Sequence, residues 1–169
     1  GAAARDAARG AVVHAVADRH QIEYPIGRVL YAPDPPVWFA GVRVSPRGDL
    51  VAFLEHPLSG DGRGDLRVVD LLGNVRTVAS GFSTIDGLAW SPDGRELWFG
   101  GQQEGGPPRQ INASTLDGRT RVVAEPLGSL QFMDLSGTGA ALIMRTTLWT
   151  EMRARSRGTN DEVEMAGAD

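Results

Sequence analysis

The sequence predicts an all-β chain folded as a β-propeller of four-stranded antiparallel blades. Three observations carry that prediction. One strand–turn–strand unit recurs at a fixed spacing. A second turn unit recurs at the same spacing, out of step with the first. The strands that follow the first turn are apolar on both faces.

The first unit is clearest at Trp90-Ser91-Pro92-Asp93-Gly94-Arg95-Glu96-Leu97-Trp98-Phe99. Pro92 already has the φ that the second position of a type I turn requires, and Asp93 tolerates the third. Gly94 is expected to leave the turn with a positive φ that a β-branched residue fits badly. Val44-Ser45-Pro46-Arg47-Gly48-Asp49-Leu50 repeats the unit with Ser45 46 positions before Ser91, and Leu135-Ser136-Gly137-Thr138-Gly139 repeats it with Ser136 45 positions after. The second unit pairs Asp70-Leu71-Leu72-Gly73-Asn74-Val75 with Thr115-Leu116-Asp117-Gly118-Arg119-Thr120, and Gly73 to Gly118 is again 45 positions. A period of about 40 to 50 residues with several short strands per repeat is the signature of propeller blades.

A half-exposed strand would alternate apolar and polar residues. Val51-Ala52-Phe53-Leu54 and Leu97-Trp98-Phe99 do not, as expected of strands sandwiched between neighbouring blades. Trp90 and Trp98 are therefore read as core residues, with an aromatic ligand platform as the alternative.

In chain order, residues 1–9 are Ala-rich and lack strand periodicity, consistent with a frayed end or a short helix. Strands are expected at 11–16, 21–24 and 28–31, the latter part of a first blade (11–32) without its innermost strand. A second blade (37–80) is expected to hold strands at 37–44, 50–54, 65–70 and 75–79. A third (85–125) holds strands at 85–90, 96–99, 109–115 and 120–124. A fourth (130–165) begins at Leu130, with later strands at 141–145, 151–155 and 161–165. Residues 1–169 thus read as a single partial propeller domain of about three full blades plus a partial one, an open arc of a larger ring. Its terminal blades would leave apolar residues such as Val12, Val29 and Ile143 uncovered.

Composition narrows the chemistry. There is no Cys, hence no disulfide, thiol nucleophile or thiolate metal site. All 17 basic residues are Arg, which removes Schiff-base, P-loop and kinase-core lysines. A net charge of −4 argues against nucleic acid as a partner. No apolar run approaches a membrane span, so no direct membrane contact is expected in this segment. No Gly-x-Ser-x-Gly, His-Glu-x-x-His or phosphate loop is present, and no catalytic residue, metal site or cofactor is expected.

In a four-stranded meander the connections between the second and third strands share one end of the blade with the links between blades. Those connections, 56–64 and 101–108, are long and unlike each other, whereas the opposite turns are stereotyped. Variable loops on a rigid scaffold are where binding is usually placed. The expected recognition face for a protein or small-molecule ligand comprises His56, Asp61, Arg63, Ser83, Thr84, Asp86, Gln102, Gln103 and Glu104. Each has a plainer reading. His56 has no second histidine in a ligand motif. Arg63 stands where a calcium loop wants an oxygen. Asp86, beside Gly87, satisfies a turn as readily as it binds a ligand. Arg63-Gly64-Asp65 and Asn112-Ala113-Ser114 match an adhesion tripeptide and a glycosylation acceptor, the latter inside an expected strand.

Through Trp90-Ser91-Pro92-Asp93-Gly94-Arg95-Glu96-Leu97-Trp98-Phe99 the chain resembles the TolB-like, WD-repeat-like bacterial propellers. Ile22–Tyr31, Arg43–Gly48, Val51–Pro57 and Gly87–Trp90 are similar to the propeller region of certain bacterial serine/threonine protein kinases. The resemblance covers about residues 11–165 and departs at Gly137 and over residues 1–9. It implies six or more blades in the whole ring and an extracytoplasmic or periplasmic location. It also implies a non-catalytic sensor or interaction module within a larger signalling protein. A propeller that gates a serine peptidase and a TolB-like envelope scaffold are the alternatives. The kinase part itself, with its Lys, His-Arg-Asp and Asp-Phe-Gly, is absent from the chain.

Overall fold

A computed structural model describes residues 10–125, 130–146, 152–155 and 162–165. The expectation for residues 1–9 falls outside them. Among the described residues the regular structure is entirely β. A three-stranded sheet is formed by β1 (Val12–Val16), β2 (Arg19–Glu23) and β3 (Val29–Tyr31). A seven-stranded antiparallel meander follows: β4 (Trp38–Val44), β5 (Leu50–His56), β6 (Gly64–Asp70), β7 (Val75–Trp90), β8 (Glu96–Gln103), β9 (Gln110–Thr115) and β10 (Thr120–Ala124). Two further hairpins lie among the described residues, β11 (Leu130–Leu135) with β12 (Ala141–Arg145), and β13 (Met152–Arg155) with β14 (Glu162–Met165).

The turns repeat as the sequence does. Gly48, Gly94 and Gly139 donate to the carbonyls of Ser45, Ser91 and Ser136 at 2.8–2.9 Å, with φ of +74°, +70° and +85°. The serines do more than precede the turn. Ser45 Oγ accepts from the backbone of Asp49 and Leu50, Ser91 Oγ from Arg95 and Glu96, and Ser136 Oγ from Thr138 and Ala140. One hydroxyl thus satisfies donors that the turn would leave unpaired. The second unit repeats as well, with Gly27, Gly73 and Gly118 at φ of +92°, +89° and +88°. In the first blade that turn is held by Glu23. Its buried carboxylate accepts from Gln21 Nε2 (2.7 Å) and the Gly27 amide (2.8 Å), and meets His14 Nδ1 (2.7 Å).

Two boundaries differ from the sequence expectation. Strands expected at 75–79 and 85–90 are one continuous strand, β7, and Ser83 and Thr84 lie within it rather than in a link. Phe82 is the crossing point, paired with Gly64 of β6 on one side and Gln103 of β8 on the other. The chain stays extended there because Phe82 buries its ring edge-on against Phe99, at a centroid distance of 5.3 Å. The strand expected at 96–99 likewise continues to Gln103, so Gln102 and Gln103 belong to β8 and not to a loop. Gly100 and Gly101 permit this. A Cβ on either would stand 2.8 Å from Asp86 Oδ1 or from the Phe82 ring.

Among the described residues the core is three layers, each between two blades, and successive residues of one strand serve opposite layers. Val51 and Phe53 join Ile22, Leu30, Phe39 and Val69 between the first and second blades. Ala52 and Leu54 join Leu66, Leu88, Trp90, Leu97 and Phe99 between the second and third. Ala89, Ile111 and Phe132 form the third layer, with Trp98 packed on it. Trp90 is buried and donates Nε1–H to the Arg43 carbonyl of the preceding blade at 3.1 Å. Trp98 is only half-buried, and the Arg121 guanidinium lies over its ring, 5.9 Å from the centroid.

The innermost strands carry a repeat that the turns overshadow. Gly41 and Gly87 lie 46 positions apart, take φ of +59° and +56°, and each sits at a break in strand register. β11 breaks register one position further along the period, between Phe132 and Asp134. A Cβ on Gly87 would come within 1.8 Å of the Phe132 carbonyl oxygen, so here the third and fourth blades meet backbone to backbone. Gly60 also has a positive φ, but nothing lies within 4 Å of its added Cβ. Gly87→Ala is therefore expected to lower stability by about 3 kcal/mol or more, through clash and backbone strain together. Gly60→Ala should cost about 1 kcal/mol from backbone alone. Urea unfolding of both variants checks this, and equal losses would place the β7–β11 contact wrongly.

Candidate functional site

The β5–β6 loop and the inner strands meet at one end of the sheet around a cleft of about 420 Å3. β4 contributes Trp38 and Gly41, β5 contributes His56, and the loop contributes Asp61. β7 contributes Thr84 and Asp86, and Gln131 comes from β11. Arg109, immediately before β9, closes one side.

Asp86 is the centre of this end. Its Oδ2 accepts from Arg109 Nη1 at 2.5 Å and from Gln131 Nε2 at 3.1 Å. The first bond lies within the third blade and the second reaches the fourth, so the carboxylate clips the two together. Its Oδ1 is buried against Gly100 and takes no donor among the described residues. A buried, unpaired carboxylate oxygen costs on the order of 1–3 kcal/mol, which the two charge-assisted bonds to its twin offset. Thr84 Oγ1 is also buried without a partner.

His56 departs from its expected place. It is the last residue of β5, buried, with Nδ1 2.8 Å from the Arg63 carbonyl. A carbonyl only accepts, so Nδ1 carries a proton, and in the neutral ring Nε2 is left as an acceptor. Asp61 and Arg63 form a fork in the exposed loop. Asp61 accepts from Arg63 Nη2 at 2.6 Å, from its Nε at 3.1 Å and from its amide at 2.9 Å. Those bonds, the guanidinium first, hold the Asp61 carboxyl at about 2 instead of 3.8.

Of the sequence-predicted residues, His56, Asp61, Thr84 and Asp86 line this cleft. Gln103 and Glu104 line a second one of about 350 Å3, between Phe82 and the β9–β10 edge. Arg63, Ser83 and Gln102 line neither. Ser83 Oγ donates to the Gln102 carbonyl, tying β7 to β8. The adhesion-like tripeptide is not a free loop, since Gly64 and Asp65 are paired within β6 and Arg63 is held by Asp61. Asn112 and Ser114 are buried in β9, which removes the glycosylation reading. Trp38, Arg109 and Gln131 were not singled out from sequence. The period itself could have found Gln131, which stands 45 positions after Asp86 as Asp86 stands 46 after Ala40. No comparable signal marks Trp38 or Arg109.

Among the described residues no group of three or more His, Asp or Glu side chains is arranged to hold a metal ion, and no helix is long and apolar enough to cross a membrane. No family model and no curated protein matches the chain. Solved structures do. A structure assigned as TolB from Agrobacterium tumefaciens superposes with a TM-score of 0.60 at 20% identity, over 85% of this chain and 53% of that one. The fold is a TolB-like β-propeller. TolB from Acinetobacter baumannii gives a TM-score of 0.51 at 16% identity, covering 71% of this chain and 30% of that one. A structure from a study of two prolyl endopeptidases gives 0.61 at 21% identity, covering 91% and 27%. The chain thus spans about half the length of one TolB-like propeller and less than a third of the other two proteins.

The Asp61–Arg63 fork gives the loop of this propeller a defined acid response. A carboxylate whose folded pKa is depressed contributes order that is complete above its unfolded value and lost as pH falls through the folded value. Here the window runs from 3.8 down to about 2. Carboxyl-detected NMR should find Asp61 titrating near 2 in the native chain and back in the ordinary Asp range in Arg63→Ala. An ordinary Asp61 pKa in the native chain would show that the fork does not form.

Proposed function

We propose that the chain is a non-catalytic recognition module, a sensor or protein-interaction propeller that binds its ligand at the cleft around Asp86. The observation that carries this reading is the cleft itself. It is a concave site of the size small ligands occupy, lined by strands β4, β5 and β7 of one sheet, the β5–β6 loop and Gln131 of β11. Its polar groups are fixed by one another. Asp86 is held by Arg109 and Gln131, and His56 by the Arg63 carbonyl. A carboxylate and an imidazole so engaged suit orientation of a ligand better than proton transfer. The sequence resemblance to kinase-linked propellers supports a place within a larger signalling protein, such as a receptor-like serine/threonine kinase.

A second reading is favoured by one observation. The similarity to the prolyl endopeptidase structure extends over 91% of the chain, which suits a propeller that gates a peptidase domain. The two readings part on the parent protein's activity, and neither assigns catalysis to these residues.

The test is a purified chain assayed for peptidase, esterase and phosphoryl-transfer turnover, alongside thermal-shift screening with peptides and small molecules. The proposal expects no turnover, and stabilisation by some ligand that Trp38→Ala abolishes. Turnover that tracks the purified chain, or ligand stabilisation indifferent to Trp38→Ala, would overturn it.

A further inference from the structure

We infer that the Asp86 cleft takes an uncharged, polyhydroxylated ligand, a saccharide unit, with one sugar face against Trp38. The inference deepens the reading of this cleft as a binding site and rests on it.

Charge comes first. Asp86 is paired with Arg109, and Asp61 with Arg63, so both carboxylates at this end are already neutralised by protein cations. A cationic ligand would have to compete with a guanidinium for Asp86, and an anionic one with a carboxylate for Arg109. A neutral ligand competes with neither.

The polar lining is mixed in sense. In the neutral ring His56 Nε2 offers a lone pair, and Arg109 and Gln131 offer donors. Sugar hydroxyls, each a donor and an acceptor, match such an alternation. A ligand of one hydrogen-bonding sense does not.

The apolar wall is aromatic and accessible. Trp38 is 38% exposed although His20 packs edge-on against it at 4.8 Å. An exposed indole beside a cluster of fixed polar groups suits a ligand with one C–H face and a hydroxylated rim. An extended peptide is the main competitor, and the backbone disfavours it. β4 is an edge strand of the seven-stranded sheet, and its edge is broken by the register shift between Ala40 and Arg43, where Gly41 takes a φ of +59°. Such bulges interrupt strand addition. The volume of about 420 Å3 lies at the small-ligand end of binding sites, roughly 300–1,000 Å3.

The test is amide and indole NMR of the ¹⁵N-labelled chain. It is titrated with the neutral disaccharides maltose, cellobiose and chitobiose, and separately with methylammonium, acetate, inorganic phosphate and a blocked tetra-alanine peptide. At least one disaccharide should saturably shift the Trp38 indole and the amides of Gly62, Thr84 and Gly87 below about 50 mM. Trp38→Ala should weaken that binding about tenfold or more, and Gln131→Leu should weaken it several-fold, both with native circular dichroism. If no disaccharide shifts these signals but a charged probe or the peptide does, the saccharide inference fails while the cleft remains a binding site. If no probe of any class shifts them, both fail. Shifts by a disaccharide that survive both substitutions would place the sugar elsewhere and overturn the inference.

Discussion

The structure depends on two strands that must bury both of their faces. β5 and β8 lie inside blades that are themselves inside a stack: every side chain along Val51–Leu54 is withdrawn from water, and β8 buries Leu97 and Phe99 on one face while Trp98 packs half-buried on the other. Burying one large aliphatic or aromatic side chain contributes roughly 1.5–3 kcal/mol. On such a strand the contributions go alternately to two different interfaces. Val51 and Phe53 hold the blade before, and Ala52 and Leu54 the blade after. A blade is therefore not an independent unit. Its inner strands become stable only when neighbours are present on both sides, as in repeat proteins generally.

Polar contacts follow the same geometry and reinforce it at points the apolar layers leave open. Trp90 donates to the Arg43 carbonyl across the second interface, and Gln131 donates to Asp86 across the third. At the first interface the Tyr31 hydroxyl donates to Glu55, which also meets Arg67. Burial and that carboxylate together push the Tyr31 hydroxyl above its ordinary range. Each inter-blade bond starts or ends on an element fixed by the sheet, so the cleft around Asp86 inherits the rigidity of three blades.

The repeat was the legible part of the fold. Pro92, Asp93 and Gly94 announce a turn by backbone preference alone, and a turn that recurs after 45 or 46 residues announces a blade. Links between blades were not legible, because Ser80-Gly81-Phe82-Ser83-Thr84 reads locally as a loop and is held extended by the distant ring of Phe99. His56 belongs to the strand because it pairs with Trp38 of β4, a partner 18 positions away that no local pattern encodes. Asp86 was visible as a candidate, but its partners Arg109 and Gln131 stand 23 and 45 positions away and are brought to it by the stacking of blades. Turn chemistry is local and can be read. Side chains that meet across an interface are not local and must be seen.

Two-sided burial is the claim on which the rest stands, and native-state hydrogen exchange tests it directly. The account predicts that amides of β5 and β8 are the slowest to exchange, and that they exchange together, as one cooperative unit with the full stability of the chain. The outer strand β10 and the hairpin β11–β12, with Val122, Leu142, Ile143 and Met144 exposed, should open earlier and separately. If β10 and β12 were as protected as β5 and β8, or if β5 and β8 opened independently of one another, inter-blade packing could not be what holds the structure together.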